Sequence, residues 1–227
     1  MESVDNRLKS TRVLGLFAKE PVPGQVKTRL TPPLSTVQAA TLYQTALIET
    51  VETMRGGDFE LVICYTGNPD YFRQAFPGVK LYEQQGDDLG KRMENALNTF
   101  FQQGYQQAML IGSDSPDLPP ALVKQAYAAL DRHPLVLVPA YDGGYVLIGE
   151  SFHSPQLFEN IPWSSDEVIS LTRKRAEQSG IDYFLLSGWD DLDDLDALQR
   201  FLRRSPQSKT AEYLCGLSVA EGLTATS

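Results

Sequence analysis

A chain of 227 residues with 42% hydrophobic content is long enough to bury a substantial core, and its formal net charge of −9 argues against the basic face that nucleic-acid binding uses. No run approaches the roughly 18 consecutive apolar residues of a membrane span, and the start, Met1 to Asn6, lacks the basic and apolar regions of a signal peptide. Only Cys64 and Cys215 are present, without metal-type spacing, so two free thiols in a reducing cytoplasm are expected.

The first strand is expected over 13–18 and leads directly into Phe17-Ala18-Lys19-Glu20-Pro21-Val22-Pro23-Gly24-Gln25-Val26-Lys27-Thr28-Arg29-Leu30. Two prolines and Gly24 make this stretch a fixed turn. Lys19, Lys27 and Arg29 gather there in an otherwise acidic chain. Such a gathering suits an anion site, because Arg clamps phosphate through its planar fork and Lys acts as a point charge. Cations that simply pair with nearby acids on a solvated loop are the alternative. Neither the phosphate-loop spacing G-x-x-x-x-G-K-[ST] nor the dinucleotide fingerprint G-x-G-x-x-G is present.

A helix is expected over 35–54, opened by a Ser35/Gln38 capping box, and strands over 59–65 and 79–82. Gln84-Gln85-Gly86-Asp87-Asp88 then opens a helix over 87–103. Gly86 and the helix terminus suit the approach of a negatively charged ligand, while Asp87 suits a plain cap. The next strand, 108–111, stops abruptly at Gly112-Ser113-Asp114-Ser115-Pro116-Asp117, before a helix over 120–132. A buried strand that delivers carboxylates to the carboxyl edge of a sheet is a place for Mg²⁺ or Mn²⁺ and a nucleotide, with Asp114 as the first ligand. Asp117 equally fits a turn or a cap.

Strands over 135–139 and 145–148 flank Tyr141-Asp142-Gly143-Gly144. Asp-Gly is a tight-hairpin signal, and paired glycines also admit close approach by a ligand, with Asp142 as a polar contact or base. Ser164/Glu167 forms a second capping-box pattern before a helix over 165–179, followed by a strand over 183–186 and a helix over 194–204. Asp190, Asp191, Asp193, Asp194 and Asp196 crowd the start of that last helix. The helix dipole favours some of these acids, and one of them is expected to complete the metal site begun by Asp114. Strand–helix alternation throughout predicts one α/β domain over 1–227, a mostly parallel sheet covered by helices. A polar N-terminal extension (1–11) and a loosely held tail (206–227) are expected at its ends.

The basic loop together with Gly112-Ser113-Asp114-Ser115-Pro116-Asp117-Leu118 and Asp142-Gly143-Gly144-Tyr145-Val146-Leu147-Ile148-Gly149 resembles a bacterial family of GT-A-type transferases. Its members are described as glycosyltransferase-like proteins associated with radical-SAM genes or arsenosugar biosynthesis. More distantly, the chain is similar to the 2-phospho-lactate and molybdenum-cofactor guanylyltransferases. The resemblance implies a three-layer nucleotide-diphospho-sugar transferase fold. It implies Lys19, Gly24, Lys27 and Arg29 near phosphate, Gly86, Asp87 and Asp88 near base or ribose, and a divalent metal at Asp114 and Asp193. Asp142 would orient or deprotonate an acceptor hydroxyl, and Gly143, Gly144 and Trp163 would bind the acceptor. Ser115 stands where the family usually has cysteine, and the spacing D-x-x-D rather than D-x-D leaves Asp117 without a metal assignment. The reading that follows is a Mg²⁺- or Mn²⁺-dependent glycosyltransferase with a nucleotide-sugar donor and a small-molecule acceptor. A nucleotidyltransferase that releases pyrophosphate is the alternative enzyme, and a nucleotide-binding module the non-enzymatic one.

Overall fold

The computed structural model describes residues 10–217. Most of the proposed N-terminal extension and the last part of the tail lie outside the described residues. In chain order the elements are β1 (Arg12–Lys19), α1 (Thr36–Met54), β2 (Glu60–Thr66), α2 (Pro69–Ala75), β3 (Lys80–Glu83), α3 (Leu89–Gln102), β4 (Gln107–Gly112), α4 (Pro120–Leu130), β5 (Leu135–Pro139), β6 (Tyr145–Glu150), α5 (Val168–Gln178), β7 (Tyr183–Leu185), α6 (Leu195–Arg204) and α7 (Lys209–Cys215). One sheet holds the strands in the order β3-β2-β1-β4-β6-β5-β7. Only β6 runs antiparallel to its neighbours; β1 pairs in parallel with both β2 and β4.

Strand alternation divides the core between the two faces of the sheet. Leu14, Leu16, Ile63, Met109 and Ile111 face α1 and α4, where Tyr43, Leu47, Val123 and Tyr127 cover them. Val13, Val62, Ala108, Leu110 and Ile148 face α3, where Met93, Leu97 and Phe100 cover them. Strands buried on both faces read as near-continuous apolar runs, which is why the central strands were visible in the sequence. A third cluster joins α1 to α6 and α7 through Leu42, Ala46, Leu198, Phe201, Ala211 and Leu214.

Three local expectations are corrected. The Ser164/Glu167 capping box does not form: Ser164 sits at φ 70° and α5 begins only at Val168. Helix α3 is capped by Asp88, which accepts from the Lys91 amide, not by Asp87. The tail expected to be loose from 206 includes α7, whose Thr210, Ala211 and Leu214 are buried. The Ser35/Gln38 capping box is present as expected. Among the described residues no helix is long and apolar enough to cross a membrane.

The order of the strands sets the place of the site. From β1 the chain winds outward to β2 and β3, and then crosses back to place β4 on the other side of β1. Loops leaving the carboxyl ends of β1 and β4 therefore diverge, and the crevice between them is where ligands bind in open α/β sheets.

Candidate active site

A cavity of ≈ 540 Å³ opens at that crevice. The basic loop leaves β1 at Lys19, whose amide donates to Tyr43 Oη at 2.8 Å. The same hydroxyl shares a 2.8 Å hydrogen bond with Ser113 Oγ, so one α1 side chain ties the basic loop to the acid loop after β4. Gly24 turns the loop at φ 80°, and buried Val26 and Leu30 anchor it to the core. Lys27 takes a left-handed conformation, φ 50°, just before a single 3₁₀ turn over Thr28–Leu30. That geometry sends its side chain inward.

The Lys27 ammonium, with a side chain only 3% exposed, stands 2.5 Å from Asp114 Oδ1 and 3.0 Å from Asp193 Oδ1. Burial acts to lower its pKa, but the attraction and hydrogen bonds of Asp114 and Asp193 together outweigh it and hold Lys27 above the ordinary lysine value. Arg29 lies 3.6 Å from the other oxygen of Asp193. The sequence reading assigns a divalent metal to Asp114 and Asp193; in the structure the Lys27 ammonium stands between these two carboxylates.

The acids divide into distinct roles. Asp142, Asp191 and Asp193 bring carboxylate oxygens within 4.8 Å of one another. Burial, and then the repulsion of Asp193, Asp142 and Asp114, pushes Asp191 up to about 7. Crowding of this kind is relieved by a divalent cation, and oxygen-only donors suit Mg²⁺ or Mn²⁺. Asp190 instead forms a bidentate pair with Arg200, at 2.6 and 3.0 Å, and Asp194 caps α6. The Leu192 amide donates to the Asp114 carbonyl at 2.8 Å, which pins the acid segment against the β4 loop. Asp117 lies outside the cavity lining, held by Arg204, Ser205 and Trp189.

Of the residues singled out in the sequence, Lys19, Lys27, Arg29, Asp114, Asp142, Gly144, Trp163 and Asp193 line this one cavity. Gly24, Gly86, Asp87, Asp88 and Gly143 are not among its lining residues. Gly86 (φ 137°) is pressed against the first turn of α3, where a Cβ would meet Arg92 N and Lys91 at 2.9 Å. Gly143 (φ 91°) is needed because the Asp166 carbonyl oxygen lies 2.2 Å from where a Cβ would be. Both glycines admit another piece of the chain. The Asp142 carboxylate accepts from the Gly144 amide at 2.9 Å, the turn reading of that motif, and still reaches the cavity. Tyr43, Gln84 and Asp191 also line the site; the sequence reading assigns no role to Tyr43 or Gln84 and names Asp191 only as one of five crowded acids. Tyr43 falls at a helix position that periodicity assigns to the core, so only Asp191 carried a readable signal.

Residues 47–165 match the model of a family described as an uncharacterized protein conserved in bacteria (DUF2064). The chain belongs to that family. The matched segment contains Asp114, Asp142 and Trp163. The chain is also similar to a protein from Desulfovibrio desulfuricans G20, provisionally described as a nucleotide-diphospho-sugar transferase. The two are 32% identical over 94% of this chain and 96% of that one, with a TM-score of 0.86. A CMP:2-keto-3-deoxy-manno-octonic acid synthetase complexed with CTP is 13% identical over 86% of this chain and 98% of that one, with a TM-score of 0.53. Rv0371c from Mycobacterium tuberculosis H37Rv, complexed with manganese, is 16% identical over 84% and 98%, with a TM-score of 0.52. These last two likenesses concern the fold alone. The fold is that of the nucleotide-diphospho-sugar transferases. No curated protein matches the chain.

Proposed function

We propose that this protein is a divalent-metal-dependent transferase that binds a nucleotide sugar and passes the sugar to a small-molecule acceptor in the cytoplasm. The observation behind the proposal is the meeting, in one cavity at the β1–β4 crevice, of Lys19, Lys27 and Arg29 with Asp114, Asp142, Asp191 and Asp193. Cations alone would suit any anion; cations facing a crowded carboxylate set suit a diphosphate that brings a metal with it.

Asp191 and Asp193 are the residues proposed to hold Mg²⁺ or Mn²⁺, which would supply Lewis-acid stabilisation of a departing diphosphate. Lys19 and Arg29 in the loop after β1 are proposed to neutralise the same charge, and Asp114 to orient Lys27 for that task. In glycosyl transfer the bond between the anomeric carbon and the diphosphate oxygen breaks, and its electron pair leaves with the diphosphate. The acceptor oxygen bonds to the anomeric carbon, and its proton passes to a base, for which Asp142 in the β5–β6 turn, left out of the metal set, is the candidate. Trp163, laid over Gly90 at the start of α3, offers a flat apolar face for an acceptor ring.

The fold likeness to the synthetase complexed with CTP supports a second reading, in which a nucleoside triphosphate is joined to a phosphorylated small molecule and pyrophosphate is released. Product analysis separates the two. The protein is incubated with mixed triphosphates and nucleotide sugars, Mn²⁺ and a cell extract as the source of acceptors. Free nucleoside diphosphate with a glycosylated product supports the proposal. Pyrophosphate with no sugar transfer reverses the order of the two readings. Neither product, when a known transferase is active in the same extract, favours the binding module.

A further inference from the structure

Gln84 follows β3 and reaches back across the edge of the sheet. Its amide N–H donates to the Tyr65 carbonyl at 2.9 Å. Its side-chain Nε2 donates to the Cys64 carbonyl at 2.8 Å and to the Ala18 carbonyl at 3.4 Å, at the ends of β2 and β1. A carbonyl oxygen only accepts, so these two partners fix which end of the carboxamide carries the NH₂ group. Both amide protons are committed. The remaining polar atom, Oε1, has no partner among the described residues, and Gln84 lines the cavity beside Phe17, Leu89 and Met93.

The position within the cavity gives that oxygen a meaning. The acids come from the β4 loop, the β5–β6 turn and the segment before α6, and Lys27 points toward them. A diphosphate held among those groups would lie at the β4–β6 side of the cavity. The other end of the nucleotide would then extend toward β2 and β3, where Gln84 stands at the ends of β1 and β2. Phe17, Leu89 and Met93 add apolar surface to the same cavity, which suits a heterocyclic base with one edge to be recognised.

A free glutamine carboxamide can pair with uracil or thymine by accepting from the ring N–H and donating to a ring carbonyl. The donor half of that arrangement is unavailable when Nε2 is spent on Cys64 and Ala18. A fixed acceptor facing an imide also meets the carbonyl oxygens on either side of its N–H. An amino-bearing base instead presents N–H donors, the exocyclic amino group of cytosine or adenine or the N1–H and 2-amino pair of guanine, without that conflict. We propose that Gln84 is a specificity-determining residue that selects a nucleotide with an amino-bearing base over one with uracil or thymine. The assignment rests on the nucleotide-binding reading above and narrows its substrate class.

Calorimetry on the full chain with Mn²⁺ and CDP, GDP, ADP or UDP tests it. At least one amino-bearing diphosphate is expected to bind about tenfold or more tightly than UDP, the size of effect expected when one acceptor meets a donor rather than an opposing carbonyl. In Gln84→Met the advantage is expected to collapse because the amino-bearing nucleotide weakens while UDP changes little. UDP binding as tightly as every other nucleotide in the parent overturns the base assignment, whether or not the variant folds. Equal weakening of all four in a folded Gln84→Met also overturns it, since that is the mark of a wall residue. Failure of all four to bind the parent overturns the nucleotide reading itself, and the base assignment falls with it.

Discussion

Replacing Lys27 by methionine removes the ammonium that stands between Asp114 and Asp193 while keeping most of the side-chain volume. The lysine side chain is 3% exposed, and the two carboxylates are 38% and 34% exposed. Removing one member of a fully buried pair costs about 3–5 kcal/mol, because the partner charge is left uncompensated. Here water reaches both acids, so the expected loss is nearer about 2–3 kcal/mol, read by urea unfolding in the presence of a chelator. A divalent ion that uses Asp193 competes with Lys27 for it in the parent and meets no such competition in the variant. Mn²⁺ at a hundred times its Kd adds about 2.7 kcal/mol by mass action, enough to restore most of the loss. The variant is therefore expected to gain more from Mn²⁺ than the parent at every concentration. A variant as stable as the parent without metal would show that the ion pair contributes nothing. A loss that Mn²⁺ reverses no better than in the parent would show that these acids do not hold the metal.

Asp117 tests the division between site and scaffold. Its side chain is 9% exposed and paired with Arg204, so Asp117→Ala is expected to cost about 3 kcal/mol or more in urea unfolding and to leave the nucleotide Kd unchanged by calorimetry. Weaker nucleotide binding at unchanged stability would return Asp117 to the site. Gly90→Ala puts a Cβ 2.2 Å from the Trp163 indole, so the ring must move. Its emission, measured with Trp189 replaced by phenylalanine, is expected to shift; an unchanged spectrum would mean that the indole is not seated there. Asp191 gives a pH dependence: burial first, then its acidic neighbours, raises it from 3.8 to about 7. The folded state then holds a proton that the unfolded state has lost, so metal-free stability falls as pH rises between those two values. Asp191→Asn is expected to flatten that part of the profile. A rise in stability across the window would contradict the burial of this carboxyl.

The fold was legible because its central strands are buried on both faces and its main helices carry an apolar stripe. What escaped depends on tertiary contact. Helix α7 buries few apolar side chains and docks through polar groups, with Glu49 of α1 accepting from Lys209 N, Thr210 N and Thr210 Oγ1. Hydrophobic periodicity does not register such a contact. The Ser164/Glu167 pattern failed for a related reason. Gly143, brought close by the β5–β6 turn, accepts from the Ile169 amide at 2.8 Å, and the segment from Pro162 to Val168 follows the packing of that turn instead of its local capping signal.

The acid run shows what kind of sequence signal would have found the whole site. The D-x-x-D spacing of Asp114 and Asp117 ends with one acid at Lys27 and the other locked to Arg204. The D-x-D pattern is present further on, as Asp191-Leu192-Asp193. Side chains two apart on an irregular or extended chain share a side, so one acidic pair can face a ligand while the residue between them faces the core. The structure follows that alternation: Asp191 and Asp193 line the cavity, whereas Asp190 is 2% exposed and Leu192 1% exposed. Leu192 and the Asp190–Arg200 pair act as the anchors that set the two cavity-facing acids at a fixed height. The helix dipole accounts for Asp194 and Asp196 on the next turn. Five acids that look alike by composition therefore separate by parity into anchor, site and cap. Asp191 was readable from the alternation of polar and apolar residues in that one segment.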